Sequence, residues 1–410
     1  MAMPMTASVL ADVLRPGDRV LVGQAAAEPL GLVAALFELA PRIDELEVFC
    51  GLSLNPAWAQ SVPDALGVAT YCGVGTLGAL VARGRARVMP CSLSQLTAWI
   101  AARQLRADVV LLQVSPADAQ GYHSPACTID YAWDAVKTAR AVVVEVNHSI
   151  PAIRCATRIH ASEVVIAGQT HAPLPQSIDP PPAEIHGQVA AQVARLVPDG
   201  ATIQLGIGAL AVAVARALRA HRGLKVRSGM VGDWFLELLD AGAIDTQTPQ
   251  ACLASLAVGS QALYDSLDVD GPLGFAPPSQ LVQPLPGSPF MAINSAIEVD
   301  LCGQVNSEFL GSRYVGTVGG QPDYFRAARC SVGGLAVLAL PATSGRAAQS
   351  RIVPRLAGAY VSTAQSDVDV IVTENGAADL RGTDFDQRRR LIAGIADARV
   401  REALERGQLG

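Results

Sequence analysis

Short apolar runs alternate with longer amphipathic stretches throughout the chain. In the first part, residues 18–23, 46–50, 87–91, 108–114, 142–146 and 164–167 are rich in β-branched residues and bounded by Gly, Pro or Asn, the pattern of short buried strands. Between them, 29–39, 76–83 and 93–105 carry helical periodicity. Strands apolar on both faces, alternating with helices, predict a parallel sheet covered on both sides. The stretch PLPQSIDPPP (173–182) interrupts this pattern, because proline lacks the N–H that a helix interior or a central strand needs. A second α/β pattern follows, with strands predicted at 202–205, 225–228, 251–258, 290–299, 335–340 and 368–372. Helices are predicted at 209–220, 233–240, 389–395 and 400–406. The expected organisation is an N-terminal α/β domain over 1–172, a semi-rigid proline-rich linker over 173–184 and a C-terminal α/β domain over 185–410.

Composition narrows the function classes. Half of the 410 residues are hydrophobic and 17% are charged, enough for two large cores. A net charge of −6 without any Lys/Arg run disfavours nucleic acid, whose phosphates need a concentrated basic face. Residues 1–14 lack a basic start followed by an apolar block, so no signal peptide is expected. No apolar run reaches the roughly 18 residues a membrane helix needs, so no membrane association is expected. Eight scattered cysteines without a CxxC pair are expected to be reduced thiols in a cytoplasmic protein. Six dispersed histidines show no HxxxH or HExxH spacing, and no metal site is expected.

Three stretches suggest chemistry. In TIQLGIGALAVAVARAL (202–218) an apolar strand runs into Gly206, Ile207 and Gly208 and then into a helix. Such a turn lets a ligand approach the backbone and faces it with the N–H groups and positive end of the helix, which suits a phosphate or pyrophosphate. An unliganded tight turn has the same sequence, and Val212 breaks the full GxGxxG pattern. In NSAIEVDLCGQVNSEFLG (294–311), apolar and acidic residues alternate around Gly303 as in a hairpin with one wet face, bringing Glu298, Asp300 and Glu308 forward as acidic candidates. GTVGGQPD (316–323) is too glycine-rich for a regular element and reads as a ligand-wrapping loop or a plain crossover. There is no GxSxG elbow, and His123 beside Ser124 reads as a chance neighbour.

The chain resembles the acetyl-CoA hydrolase/transferase family, which includes 4-hydroxybutyrate and butyryl-CoA:acetate CoA-transferases. The resemblance runs through LRPGDRVLVGQ (14–24), DVVLLQVSPADAQGY (108–122) and AVVVEVN (141–147) in the first half. In the second half it runs through QLGIGALA, NSAIEVDLCGQVNSE, GGQPDYFRAA (319–328), SRIVPRL (350–356) and DVDVIVTENGAADLRG (367–382). It implies two α/β domains of the CoA-transferase fold with the active site in the cleft between them. It also implies coenzyme A or acyl-CoA as substrate, no tightly bound cofactor, and a homodimer or higher homo-oligomer. CoA would lie mainly on the C-terminal domain near Gly206, Ile207 and Gly208, with Asn294, Gly319 and Gly320 lining the same place. The family's reaction is ping-pong: a glutamate carboxylate attacks the thioester, and CoA thiolate then attacks the anhydride to leave a glutamyl-CoA thioester.

The chain departs from the family where that glutamate belongs. The family motif H-[ST]-E-M-x-x-D-G corresponds here to Arg227-Ser228-Gly229-Met230-Val231-Gly232-Asp233-Trp234. Gly229 stands at the glutamate position, Arg227 at the histidine and Trp234 at the final glycine. Ala211, Gln365 and Asp397-Ala398 also replace residues the family usually carries. Three readings follow. The enzyme performs other chemistry on an acyl-CoA and a second small-molecule acceptor (acyl transfer, condensation, hydrolysis or decarboxylation), with Arg227 pairing a substrate carboxylate. Alternatively, Glu308, Asp233, Cys302 or Ser228 substitutes as nucleophile in a conventional CoA-transferase or hydrolase. The third reading is an inactive CoA-binding protein. The Ala-, Arg- and Val-rich composition is common in high-GC bacteria, where divergent copies of such enzymes sit in secondary-metabolic clusters.

Overall fold

The computed structural model describes residues 7–345, 349–356, 358 and 360–406. Residues 1–6, part of the stretch where no signal peptide is expected, and 407–410 of the expected C-terminal domain lie outside the described residues. The chain divides into two compact units, Met1–Ser177 with Leu253–Leu281, and Ile178–Cys252 with Val282–Gly410.

The first unit holds a parallel sheet in the order Val165–Thr170, Ala141–Asn147, Val109–Val114, Arg19–Val22, Glu47–Cys50, Gly67–Thr70, Arg87–Val88. Every residue of Val109–Val114 is buried, as a strand covered on both faces requires. Val20, Val22, Val48 and Val68 on one face meet Leu32, Val33 and Leu36 of the helix Leu30–Leu39. Trp58 closes this core, its ring edge-on to Phe37 at 5.0 Å. The strand Gly67–Thr70 and the helix Ala7–Val13 are not among the sequence expectations: four residues led by glycine give too short a periodic signal.

The segment Leu253–Leu281 groups with Met1–Ser177. Its backbone is bonded to the first unit, with Ser255 O accepting from Ile129 N–H at 2.7 Å and Ala257 N–H donating to Cys127 O at 3.0 Å. The Tyr264 hydroxyl donates to Pro175 O at 2.8 Å. Hydrophobic patterning predicts a strand over 251–258 but carries no information about which distant backbone groups it bonds to.

The second unit's strands lie in the order Gly376–Asp379, Val370–Thr373, Leu335–Ala339, Phe290–Asn294, Thr202–Leu205, Lys225–Val231. Neighbours in this order pair parallel except for Gly376–Asp379, which folds back antiparallel at the edge. Helices Ala209–Ala217 and Trp234–Asp240 follow their strands as the pattern predicts. The expected strand over 290–299 is two pieces, Phe290–Asn294 and Glu298–Asp300, because the Arg351 guanidinium takes the carbonyls of Ala296 and Ile297 at 2.6 and 2.9 Å. The expected hairpin around Gly303 is present. Glu298–Asp300 pairs antiparallel with Val305–Asn306, Gly303 has φ +89°, and the Asp300 carboxylate accepts from the N–H of Cys302 and Gln304.

The expected loop over 316–323 ends sooner. Gln321–Arg329 is a helix with proline in its first turn, where the missing N–H costs nothing. Its far end is fixed: Arg326 contacts Asp367 at 2.8 Å and Arg329 contacts Asp369 at 3.0 Å, while Asp369 also accepts from Ala336 N–H. The FRAA and DVDV segments of the family-like motifs are thus the two halves of one structural joint. No helix among the described residues is long and apolar enough to cross a membrane, and all eight cysteines are free.

Candidate active site

The second unit gathers most of the candidate residues at the C-terminal ends of neighbouring parallel strands, the edge where open α/β sheets place ligands. Strand Thr202–Leu205 ends in Gly206, whose N–H donates to Ile293 O at 3.2 Å on the adjoining strand. Gln204 and Asn294 face each other across these strands and exchange amide bonds, Asn294 Nδ2 to Gln204 Oε1 at 2.7 Å and Gln204 Nε2 to Asn294 Oδ1 at 3.3 Å. A Cβ on Gly206 would lie 3.5 Å from Asn294 Oδ1. Gly208 has φ +92°, a conformation glycine adopts without strain, and it starts the helix Ala209–Ala217. Ile207 between the two glycines is half exposed.

The N–H of Gly208 already has an anion. Asp179, from the proline-rich stretch, accepts from it at 3.0 Å. Burial raises the Asp179 carboxyl above its ordinary range and nearby Asp233 adds to this, against the lowering effect of the Gly208 bond. The sequence expectation of a phosphate at this turn takes no account of Asp179, whose position in IDPPP gives no hint that it folds back onto a helix start.

On the next strand, Lys225–Val231, side chains alternate inward and outward. Val226, Ser228 and Val231 are buried, while Arg227, Gly229 and Met230 are half-buried. Ser228 is fully buried, with its hydroxyl 3.0 Å from Leu205 O and 2.8 Å from Met230 O. It ties two strands together and presents no free hydroxyl for attack. Trp234 is fully buried beside Phe235, and its indole N–H has no hydrogen-bond partner.

Gly229 has an ordinary backbone conformation, so its lack of a side chain is not imposed by φ. A Cβ there would meet one residue first, Tyr324, at 3.2 Å from the hydroxyl oxygen and 3.4 Å from Cε2. Tyr324 lies on the helix Gln321–Arg329, and its N–H donates to Gly320 O, so the Gly319–Gly320 loop sits one helical turn away. Tyr324 is 2% exposed, and its hydroxyl has no partner. Burial, assisted by Asp323, raises it far above the usual phenol range despite Arg227 nearby. Desolvation in turn lowers Arg227, against the effect of Tyr324.

Glu308 is placed differently. It is buried, with Oε2 accepting from the Ser362 hydroxyl at 2.7 Å, its N–H on Asn306 Oδ1 and its carbonyl receiving Val315 N–H. Cys302 is half-buried, and burial with Asp300 pushes its thiol up despite Arg355, Arg389 and Arg388, the opposite of what a thiolate nucleophile needs. His123 and Ser124 both bond to Ser115 and form no catalytic pair with one another. A cavity of about 320 Å³ opens in the first unit beside Arg19, Glu47, Arg87 and Arg106. Its arginines are neutralised by Glu47 and Asp108.

A parallel α/β scaffold with a glycine turn and an amide pair at its strand ends, in a chain of two compact units, belongs to the two-unit α/β class. The chain belongs to the acetyl-CoA hydrolase/transferase family. That family's N-terminal domain matches residues 4–171 and its C-terminal domain residues 259–408. The 4-hydroxybutyrate coenzyme A transferase of Clostridium kluyveri is 32% identical over 98% of this chain and 96% of its own. Among solved structures, RipA from Yersinia pestis superposes with a TM-score of 0.87 at 27% identity, covering 98% of this chain and 96% of that one. The 4-hydroxybutyrate CoA-transferase from Porphyromonas gingivalis superposes at 0.79 with 28% identity, covering 98% and 95%. The fold is thus the α/β fold of CoA-transferases, and the chain is an acyl-CoA transferase/hydrolase-like enzyme.

Proposed function

We propose that this enzyme binds an acyl-CoA thioester and passes its acyl group on, or cleaves it, by a route that forms no glutamyl-CoA at position 229. The observation that carries this reading is Gly229 itself. A glycine with ordinary backbone geometry stands at the family's glutamate position, and the nearest group to its missing side chain is the Tyr324 hydroxyl. With no carboxylate there, neither the acyl anhydride nor the CoA thioester of the usual ping-pong cycle has an atom to form on.

The half-buried Arg227 supports a substrate that brings its own carboxylate, since a desolvated guanidinium is the usual partner for one. The substitute-nucleophile reading is left with little support: Ser228 donates to backbone carbonyls, the Cys302 thiol is pushed up, and Glu308 is held by Ser362. The proposal includes a cytoplasmic homo-oligomer using CoA thioesters as substrates, with Gly206, Gly208, Asn294 and the Gly319–Gly320 loop against the CoA moiety.

Intact-protein mass measurement after incubation with acyl-CoA tests this. The expected outcome is consumption of acyl-CoA, dependent on an added acceptor or water, with no CoA-sized covalent adduct. An adduct discharged by borohydride would establish a substitute carboxylate and overturn the proposal. CoA binding without turnover of any acyl-CoA would make the chain a binding protein.

A further inference from the structure

A buried hydroxyl without a partner loses its hydrogen bonds to water and gains nothing in return. Native proteins therefore hold few such groups, and each calls for an explanation. Tyr324 Oη is one of them. On the same helix, one turn earlier, Gln321 Nε2 is another: this side chain is 7% exposed, its Oε1 accepts from Ser307, and its Nε2 has no partner. Residues three apart share a helix face. The first turns of Gln321–Arg329 thus offer two unsatisfied donors from one face, and Gly229 lies against the second.

The geometry suits an incoming oxygen. An atom at the Cβ position of residue 229 would lie 3.2 Å from Tyr324 Oη, so a substrate oxygen there needs only a few tenths of an ångström to reach hydrogen-bond distance. Gly229 is half-buried, so the position has an open side. The hydroxyl cannot wander: the ring is buried against Phe290, and the helix is fixed through Arg326 and Arg329 to Asp367 and Asp369. Burial keeps the phenol protonated, so it acts as a donor and not as a nucleophile.

We propose that Tyr324 is a catalytic residue of this enzyme, its hydroxyl donating a hydrogen bond to the acyl oxygen of a CoA thioester seated over Gly229. This rests on the acyl-CoA reading above. A donor fixed toward the carbonyl oxygen stabilises the negative charge that develops there when any acceptor attacks, which requires no carboxylate on the protein.

The test compares CoA with a dethia acyl-CoA ketone, which retains the acyl oxygen and cannot be cleaved. Both are titrated into wild type and Tyr324→Phe, alongside acyl-CoA turnover and thermal unfolding. Tyr324→Phe is expected to bind CoA as wild type does, to bind the ketone about tenfold more weakly, and to lose about 10- to 100-fold in kcat with little change in KM. Its melting temperature is expected to hold or rise, because the lost hydroxyl was unsatisfied. Gly229→Ala, which sets a methyl against the hydroxyl, is expected to weaken the ketone and spare CoA, and supplies the reading if Tyr324→Phe does not fold. An unchanged ketone-to-CoA affinity ratio in both variants overturns the proposal while leaving the acyl-CoA reading intact. Wild type that binds neither molecule overturns both.

Discussion

A methyl group at position 229 would lie 3.2 Å from the Tyr324 hydroxyl oxygen, inside the optimal separation for a nonbonded contact. The two residues are therefore coupled, and a carboxylate placed at 229 is expected to need a change at 324 as well. Gly229→Glu is expected to form little CoA adduct with acyl-CoA and acetate, because Tyr324 displaces the new side chain from its ordinary path. Adding Tyr324→Phe removes the nearest atom and leaves ring carbons at 3.4 Å or more. The double variant is expected to give several-fold more adduct than the single one, read as a CoA-sized mass increase on the intact protein. Equal adduct in both would show that position 324 does not govern position 229. The sequence draws attention to Gly229 only through the resemblance, in which Ser228, Met230 and Asp233 fit the motif around it. It draws none to Tyr324, because the contact joins residues far apart in the chain. Asp179 is hidden for the same reason, as its partner Gly208 lies on the other side of the helix Glu184–Ala194.

At the scale of elements, patterning finds the buried strands and the helices that follow them and misses those whose role is set by polar contacts. The helix Tyr131–Ala135 is one of the latter. Its cap, Asp130, is 2% exposed and accepts from Ala132 N–H at 2.8 Å and from Gln24 N–H at 3.1 Å, joining the helix to the end of the first strand. Tyr131 extends this joint, receiving Gly51 N–H at 2.7 Å and donating to Val22 O at 2.8 Å. Burial raises the Asp130 carboxyl from 3.8 to about 7, with Asp134 adding to the shift and the two N–H bonds opposing it. The folded state thus holds a proton that the unfolded chain releases near 3.8. The resulting stabilisation is fully present below that value and is lost as pH rises through about 7. The melting temperature of wild type is expected to fall between pH 5.5 and pH 8. Asp130→Asn, which cannot ionise but loses one of the two acceptors, is expected to be less stable at pH 5.5 and to show a flatter profile across that range. A profile as steep as that of wild type would place the titration elsewhere.

At the scale of the whole molecule, one division between the compact units falls between Ser177 and Ile178, inside the proline-rich stretch. What the sequence does not reveal is the return of Leu253–Leu281 to the first unit. An apolar run shows that the segment is buried, and only long-range contacts decide which residues it packs against. The consequence is physical. Without Leu253–Leu281, the backbone groups at Cys127 O and Ile129 N–H lose their partners, and so does Pro175 O. The apolar residues Leu256, Leu263, Tyr264 and Phe275 are buried and would be missing from the fold. Buried backbone groups left without partners cost about as much as a lost hydrogen bond each, and each large apolar side chain contributes roughly 1.5–3 kcal/mol. Together these losses are comparable to the whole stability of a domain, about 5–15 kcal/mol. A fragment of residues 1–177 is therefore expected to lack a cooperative thermal transition by near-ultraviolet circular dichroism. The same fragment with 253–281 joined to it by a flexible glycine-serine linker is expected to regain one, because entropy penalises added loop length only weakly. A cooperative melt from residues 1–177 alone would show that the first unit completes its core without the returning segment.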